Sequence, residues 1–221
     1  MLILGESGTG KELVAQAIHE ASPRNTGPFI PLNCAAIPKE LISSELMGYE
    51  DGAFTGAKRG GQAGKFELAN GGTIFLDEIA EMPMDMQCSL LRILEDRVVC
   101  RIGGSKYHPV NVRIVAATNR DLWKCVQRGT FRLDLYFRLN VIRIELPPLR
   151  DRTGDIDILV PYLLESAARK NRVPMVAISG EVMELFRRYY WPGNVRELKN
   201  VVEKCAVMTT SDTVTLENLP K

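Results

Sequence analysis

The stretch that decides the fold runs Leu2-Ile3-Leu4-Gly5-Glu6-Ser7-Gly8-Thr9-Gly10-Lys11-Glu12. It opens with an apolar run typical of a strand and passes into a helical pattern that begins near Lys11. Glycines at positions 5, 8 and 10 let the backbone turn tightly and point several N–H groups at one anion, with the positive end of the next helix behind them. The spacing predicts a phosphate loop in which Lys11 reaches the β- and γ-phosphates of a nucleoside triphosphate.

One position departs from the general G-x-x-x-x-G-K-[ST] pattern of such loops. Glu12 stands where a Ser or Thr hydroxyl would contact magnesium. The flanking strand and helix are nevertheless the context that the motif needs, so we interpret the stretch as a triphosphate site. The alternative at this point is a chance match in a chain of mixed composition.

Composition limits the class of protein. The 221 residues are enough for one large domain, or for a main domain with a smaller one. A net charge of +1 argues against a basic surface built to hold DNA along its length. Five scattered cysteines without a C-x-x-C pair fit a reduced compartment and not a zinc site. No apolar run approaches the roughly twenty residues of a membrane span and no leader is evident, so we expect a cytoplasmic protein without a membrane contact.

Polar residues follow two predicted buried strands. The apolar run 73–76 ends in Asp77-Glu78, and the run 113–117 is closed by Thr118-Asn119. Continuous apolar runs are typical of a parallel sheet covered by helices, and such sheets bind ligands at the carboxyl ends of their strands. We therefore expect these residues at the ligand-binding edge. The alternative for Asp77-Glu78 is a pair of acids that only stabilises a helix N-terminus.

An insertion at 48–64 is rich in glycine and has almost no periodicity. It contains the sequence Gly52-Ala53-Phe54-Thr55-Gly56-Ala57. An aromatic residue on a flexible tip indicates a contact surface, because exposing it is costly for solubility. The residues alone leave equally open a plain loop whose Phe54 folds back onto the domain.

The central part of the chain predicts further elements. Met82, Met86, Leu90 and Leu94 recur at four-residue steps, which indicates the core face of a helix, and residues 98–110 predict a hairpin around Gly103-Gly104. Arg132 and Arg138 lie six residues apart among aromatic residues. Taken alone, they read as surface ion pairs.

A boundary is predicted at Pro147-Pro148, after which the chain reads as all helical. We therefore divide it into an α/β nucleotide-binding subdomain at 1–147 and a helical subdomain at 148–221. Asn194 is expected to cap a helix over 195–208. Arg196 lies in the first turn of that helix, where a cation opposes the helix dipole, and this unfavourable position makes it a candidate for holding an anion.

Together these motifs resemble the central AAA+ ATPase domain of bacterial enhancer-binding proteins, which are sigma-54-dependent transcription activators. The resemblance covers essentially the whole chain, and its most specific element is the GAFTGA sequence at 52–57. The family's own phosphate loop is similar to Gly-Glu-Ser-Gly-Thr-Gly-Lys-Glu, which accounts for Glu12. The implied fold is an α/β P-loop NTPase with a parallel-sheet core and a smaller C-terminal helical lid.

The resemblance also implies roles and cofactors, namely ATP and Mg²⁺. Gly5 to Glu12 form the Walker A loop, Asp77 of the Walker B motif holds magnesium, and Glu78 polarises the attacking water. Asn33 matches a residue that restrains this glutamate, and Asn119 matches a sensor of the γ-phosphate. Arg132 and Arg138 match arginine fingers that reach into a neighbouring subunit, and Arg196 matches a second sensor. Residues 52–57, above all Phe54 and Thr55, match the part that contacts the sigma factor. The nucleotide-binding set is Gly5, Glu6, Ser7, Gly8, Thr9, Gly10, Lys11, Glu12 and Arg196.

Partners follow from the same resemblance: sigma-54 RNA polymerase, and like subunits in a ring of six or seven. Members of the family normally begin earlier, with a segment over the adenine, and add a regulatory domain before and a helix-turn-helix after. We therefore expect the chain to be an excised piece that does not bind DNA by itself. Two rival interpretations stay open, an AAA+ motor with another client and a nucleotide-binding module without activity.

Overall fold

The computed structural model describes residues 1–219, which form two compact units. The first unit consists of Met1–Leu4 and Lys11–Glu145, and the second of Gly5–Gly10 together with the chain from Leu146 to the end of the described residues. The sequence places the boundary after residue 147, whereas the units divide after Glu145. The sequence also assigns the whole phosphate loop to the first subdomain, whereas Gly5–Gly10 group with the second unit.

A five-stranded, fully parallel sheet forms the centre of the first unit. Its order is β2-β5-β8-β1-β9, and its strands are β1 (Leu2–Leu4), β2 (Phe29–Asn33), β5 (Thr73–Asp77), β8 (Arg113–Thr118) and β9 (Arg143–Glu145). The central strands are buried along almost their whole length, which explains their continuous apolar sequences. The apolar run 141–146 predicts a longer last strand, but β9 covers only Arg143–Glu145, and Val141 and Ile142 before it are exposed.

Helices of the first unit connect these strands, as parallel pairing requires. They are α1 (Lys11–Glu20), α2 (Lys39–Met47), α3 (Lys65–Leu68), α4 (Met84–Asp96), α5 (Leu122–Gln127) and α6 (Leu133–Leu139). The predicted stripe on α4 is confirmed in Met86 and Leu90, which are buried with Ile93 and with Met82 just before the helix. Leu94 is only partly buried and packs at the edge of this core.

Two small antiparallel ladders interrupt the connections. The pair β3 (Gly48–Tyr49) and β4 (Gln62–Ala63) closes the base of the 48–64 insertion, for which the sequence predicts no regular element. The pair β6 (Val98–Cys100) and β7 (Tyr107–Pro109) confirms the predicted hairpin.

The second unit contains three main helices, α7 (Ile156–Asn171), α8 (Gly180–Arg188) and α9 (Asn194–Met208). They enclose a separate core centred on Trp191, whose indole Nε1–H donates to the Phe186 carbonyl oxygen at 2.7 Å. The prediction of an entirely helical segment is wrong in one respect. A short parallel ladder joins β10 (Ala177–Ile178) to β11 (Thr213–Val214).

Candidate functional site

Acidic and amide side chains meet at the carboxyl edge of the sheet in the first unit. Strand β5 ends at Asp77, which pairs in register with Asn33 at the end of β2. The backbone N–H of Glu78 donates to Asp77 Oδ1 at 3.0 Å, and the backbone N–H of Asn119 lies 3.5 Å from Glu78 Oε2. The structure thus brings four of the predicted site residues to one edge, because parallel strands end on the same side.

Glu78 has an unusual backbone conformation. Its φ of +50° lies in the left-handed region, which costs a residue other than glycine about 1–2 kcal/mol. Such strain persists only where the surrounding structure fixes it, and it is concentrated at functional sites. This turn directly follows Asp77, the last residue of β5, and lets the Glu78 carboxylate accept a hydrogen bond from the Asn119 backbone N–H. The sequence gives no signal of this turn.

Asn33 is already engaged in a local turn. Its Oδ1 accepts the backbone N–H of Ala35 at 2.9 Å, an Asx turn that follows the strand directly. Among the described residues, no hydrogen bond joins Asn33 to Glu78. Any contact with the glutamate therefore depends on the amide nitrogen of Asn33.

The Cys34 thiol lies beside this edge, shielded from water and close to the acidic side chains. Cys34 is buried, and burial together with the nearby carboxylates of Asp77 and Glu78 raises the pKa of its thiol to about 12. The thiol is therefore uncharged at neutral pH. It acts as a small packing group beneath the acids and not as a nucleophile.

The phosphate loop has the backbone that its glycines predict. Gly8 and Gly10 have φ values of +80° and +100°. A Cβ at Gly8 would lie 2.3 Å from the carbonyl oxygen of Gly193 and 3.1 Å from Arg196 Cβ, so only glycine fits there. Thr9 is buried, and its hydroxyl donates to the Glu6 carbonyl oxygen at 2.9 Å. Lys11 is the first residue of α1 and is also buried.

Glu6 holds this loop in place within the second unit, to which Gly5–Gly10 belong. Arg150 donates to both of its carboxylate oxygens, at 2.6 and 2.9 Å, and Asn194 Nδ2 donates to Oε2 at 3.1 Å. These hydrogen bonds, that of Arg150 first, lower the pKa of Glu6 to about 2. Glu6 therefore stays ionised at neutral pH, and its carboxylate holds the loop through Arg150 and Asn194.

Asn194 is fully buried at the start of α9, with φ +52°. Its side chain accepts the Leu149 N–H at 2.8 Å and donates to the Ser7 carbonyl oxygen at 3.0 Å. The prediction that Asn194 caps the helix is wrong, because these longer-range partners occupy its amide. The Gly193 N–H is satisfied by Glu197 Oε2 instead, at 2.7 Å.

The side chain of Arg196 lies at the loop. Its Nη1 donates to Ser7 Oγ at 2.8 Å. Beside it lies a cavity of about 420 Å³, in which Arg196, Asn200 and Lys204 follow one another at four-residue steps along α9.

Sequence reasoning missed Arg150 and also Arg152, whose Nη2 donates to the Thr9 carbonyl oxygen at 2.9 Å. Their only sequence signal is a pair of basic residues just after Pro147-Pro148.

The two predicted finger residues differ in their contacts. Arg132 forms a double hydrogen bond with Asp134, at 2.6 and 3.0 Å, and its Nη1 lies 3.1 Å from Cys88 Sγ. The hydrogen bond with Asp134 raises the pKa of the Arg132 guanidinium. Arg138 is exposed, donates only to the Leu94 carbonyl oxygen at 3.2 Å, and has no carboxylate within 4 Å among residues 1–219. The surface ion pair expected from the sequence is thus found at Arg132 alone.

Phe54 occupies an intermediate position between the two alternatives left open by the sequence. It is 41% exposed, while one edge packs on the buried ring of Tyr49 with 5.0 Å between centroids. The contact lies at the base of the GAFTGA sequence, next to β3. The Phe54 ring is thus accessible at the protein surface on one side and covered by Tyr49 on the other.

The β6–β7 hairpin supports the base of this loop. The Glu50 N–H donates to the Ile102 carbonyl oxygen at 3.0 Å, and a Cβ at Gly103 would lie 2.9 Å from Ala53 Cβ. Arg101 donates to both carboxylate oxygens of Glu67 at 2.8 Å and lies 3.5 Å from Glu50. Sequence reasoning did not find this network, since its members are far apart along the chain.

Within residues 1–219, no group of three or more His, Cys, Asp or Glu side chains could hold a metal ion by itself. The Asp77 carboxylate at the sheet edge fits Mg²⁺, which binds to proteins through one or two carboxylates, with phosphate oxygens and water completing its shell. In the same part of the chain, none of the helices is both long and apolar enough to cross a membrane.

Comparisons with known proteins agree with this geometry. The family model described as "Sigma-54 interaction domain" matches residues 1–145, and "AAA+ ATPase lid domain" matches residues 150–221. The Nif-specific regulatory protein of Herbaspirillum seropedicae is 54% identical over 97% of the chain and 40% of its own length. The regulatory protein AtoC of Escherichia coli is 53% identical over the whole chain and 48% of its own length. The chain therefore spans less than half of these relatives.

Solved structures give the same architecture. NtrX from Brucella abortus in complex with ATP is 38% identical over 99% of the chain, with a TM-score of 0.91, and the chain covers 48% of it. Hsp104, at 17% identity and a TM-score of 0.66, supports the AAA+ fold alone. The expected α/β fold with a C-terminal AAA+ lid is confirmed.

Proposed function

This chain belongs to the Sigma-54 interaction family of AAA+ ATPase domains, and we propose that it hydrolyses ATP in a ring of like subunits to remodel sigma-54 RNA polymerase and activate transcription. The observation that carries the proposal is the GAFTGA sequence at 52–57, whose Phe54 is 41% exposed. A bacterial cytoplasmic location and the absence of a membrane partner belong to the same proposal.

Nucleotide binding is assigned to the loop Gly5–Gly10 with Lys11 and Glu12. The loop offers backbone N–H groups at a helix N-terminus, which favours the phosphates of ATP. We assign the second-sensor role to Arg196, and its support is the hydrogen bond to Ser7 Oγ. A cation that already lies on the loop is suited to respond when the charge of the phosphates changes.

Hydrolysis is assigned to the acids at the sheet edge. Asp77 would hold Mg²⁺, which neutralises charge on the phosphate oxygens. Glu78 orients and polarises the attacking water, and its strained turn and the Asn119 N–H keep the carboxylate in place. Asn33 restrains Glu78 through its amide nitrogen, because its oxygen is occupied by Ala35. Asn119 is proposed as the sensor of the γ-phosphate.

The arginine fingers explain why a ring is required. A finger supplied by a neighbouring subunit is worth roughly 10³–10⁵-fold in the rate of phosphoryl transfer. We assign the principal role to Arg138, which has no carboxylate partner among the described residues, and a supporting role to Arg132, which is held by Asp134. A monomer lacking its neighbour's arginine should be nearly inactive.

The experiment measures ATP hydrolysis as a function of protein concentration, together with sigma-54 binding in the presence of a γ-phosphate transition-state mimic. The rate per subunit should rise with concentration and collapse in Arg138→Ala. Phe54→Ala should keep its ATPase activity and lose sigma-54 binding, whereas the control Tyr162→Ala, an exposed aromatic on α7, should keep both. A rate of zero at all concentrations supports a module without activity, and hydrolysis without sigma-54 binding supports a motor with another client.

A further inference from the structure

Three backbone carbonyl groups of the phosphate loop are held by side chains of the second unit, to which the loop itself belongs. The Thr9 hydroxyl donates to the Glu6 carbonyl oxygen at 2.9 Å, and Asn194 Nδ2 donates to the Ser7 carbonyl oxygen at 3.0 Å. Arg152 Nη2 donates to the Thr9 carbonyl oxygen at 2.9 Å. These three carbonyl groups therefore face donors of the protein.

A planar peptide group fixes a second direction in each case. Each of these peptide bonds is trans, so the carbonyl of one residue and the N–H of the next lie in one plane and point in opposite directions. The carbonyl held at Thr9 thus directs the Gly10 N–H to the other side. By the same relation, the held carbonyl of Ser7 directs the Gly8 N–H, and that of Glu6 directs the Ser7 N–H.

The three N–H groups directed in this way are available to a ligand. Among residues 1–219, no oxygen accepts a hydrogen bond from the backbone N–H of Ser7, Gly8 or Gly10. Positive φ values of +80° at Gly8 and +100° at Gly10 let successive N–H groups form the concave arrangement that binds anions. Donors that the fold holds in fixed directions without an acceptor are suited to phosphate oxygens.

Arg152 contributes to this arrangement from outside the loop. Its Nη1 lies 3.5 Å from Asp155 Oδ2, and its Nη2 donates to the Thr9 carbonyl oxygen. Its Nε is buried and has no hydrogen-bond partner in the part of the chain that the structure describes. Because a buried N–H without a partner is destabilising, the stability of its own turn does not explain the position of Arg152. The contact with Thr9 does.

We propose that Arg152 is a positioning residue for the nucleotide phosphates. It acts through the loop backbone: it holds the Thr9 carbonyl, and the same peptide group then presents the Gly10 N–H to a phosphate oxygen. Donors that are oriented in advance bind an anion without the cost of orienting them first. This role rests on the proposed function, and it adds a side chain that sets the strength of phosphate binding without touching the nucleotide.

One substitution tests the role against two controls. Arg152→Met removes the donor to Thr9 and keeps a side chain of similar length. Asp155→Asn breaks the ion pair of Arg152 and leaves its contact with Thr9 in place. Arg172→Met removes the same charge from the same unit, but beyond the far end of α7, whose sixteen residues span roughly 24 Å.

Binding is measured with ADP, which is not hydrolysed, by titration calorimetry at low and high salt. Arg152→Met should bind ADP about tenfold more weakly, the effect of losing a hydrogen bond from a charged group. Asp155→Asn and Arg172→Met should stay within about twofold of wild type at high salt, where distant charges are screened. Arg152→Lys keeps the charge and one donor group, so it should lie in between, and it provides the same test if Arg152→Met does not fold.

Amide resonances identify the peptide group that is affected. In the ¹⁵N-labelled wild type, ADP should shift the N–H resonances of Ser7, Gly8 and Gly10 downfield as these groups donate to phosphate. In Arg152→Met the shift of Gly10 should be reduced most, because its peptide group has lost the donor that holds it. Asp155→Asn should give the shifts of the wild type.

The outcomes separate this role from the proposed function. Wild-type ADP affinity and an unchanged Gly10 shift in Arg152→Met would overturn the role, even if the chain hydrolyses ATP and binds sigma-54. Equal losses in Arg152→Met and Asp155→Asn would also overturn it, since they assign the effect to the ion pair. The expected pattern in a chain that hydrolyses no ATP at any concentration refutes the proposed function alone, and a wild type that binds no ADP refutes both.

Discussion

Arg150 donates to both carboxylate oxygens of Glu6 across 144 residues of sequence. The pair fixes the phosphate loop on its own unit, and Asn194 adds a third donor to the same carboxylate. The phosphate loop and the start of α9 thus share one set of hydrogen bonds.

The acid stability of the protein should depend on Glu6. Its folded pKa of about 2 lies below the ordinary value of 4.5, so its stabilisation is complete above pH 4.5 and is lost as the pH falls towards 2. Because the side chain is 44% exposed, we expect Glu6→Gln to cost only about 1 kcal/mol at pH 7. Urea unfolding should show the difference from wild type shrinking between pH 4.5 and 2.

The matched control for Glu6→Gln is Glu95→Gln, since no hydrogen bond or ion pair of Glu95 is found within residues 1–219. It should follow the wild type at every pH. A difference between Glu6→Gln and wild type that persists unchanged at pH 2 would show that the carboxylate charge is not what stabilises the loop.

The two loop glycines should differ in their tolerance of a methyl group. Gly10→Ala places an L side chain at φ +100° in open space, which we expect to cost about 1–2 kcal/mol. Gly8→Ala adds the close approach to the Gly193 carbonyl oxygen at 2.3 Å, and overpacking of this kind costs about 1–3 kcal/mol more. Thermal unfolding of both variants tests the order, and equal melting temperatures would contradict the packing of Gly8 on Gly193.

Cysteine reactivity should separate a protected thiol from accessible ones. With its pKa raised to about 12 and its side chain buried, Cys34 should stay unmodified by iodoacetamide at pH 8. Cys88 and Cys100 are only partly buried and should react first. Mass spectrometry of tryptic peptides measures this, with a urea-unfolded sample in which all five cysteines react as the reference. Rapid labelling of Cys34 in the folded protein would contradict the dry edge described above.

Local features of the fold were predictable because they depend on nearby residues. The parallel strands follow from continuous apolar runs, and the hairpin at β6–β7 follows from its glycine turn. The loop glycines at 8 and 10 were predicted because only glycine readily adopts their positive φ.

The remaining features depend on tertiary distance and could not be predicted. In the sequence, nothing distinguishes Arg150 from other surface arginines, because its partner Glu6 is 144 residues away. Asn194 has the sequence position of a helix cap, but in the fold its side-chain amide hydrogen-bonds to the backbone of Leu149 and Ser7. The positive φ of Glu78 has no sequence signal, because a glutamate adopts it only when its surroundings impose it.

The ion pair beneath the GAFTGA loop gives a last prediction. Arg101→Leu leaves the Glu67 carboxylate without its two donors, and Glu67 is only 15% exposed, so we expect a loss of about 1–3 kcal/mol. The Arg101 hydrogen bonds lower the pKa of Glu67, so this loss should be seen at pH 7 and should diminish at acid pH. The double variant Arg101→Leu/Glu67→Leu should recover part of the stability, because removing both partners leaves no buried charge unpaired. Chemical unfolding of the three proteins measures the coupling, and strictly additive losses would show that Arg101 and Glu67 do not stabilise each other.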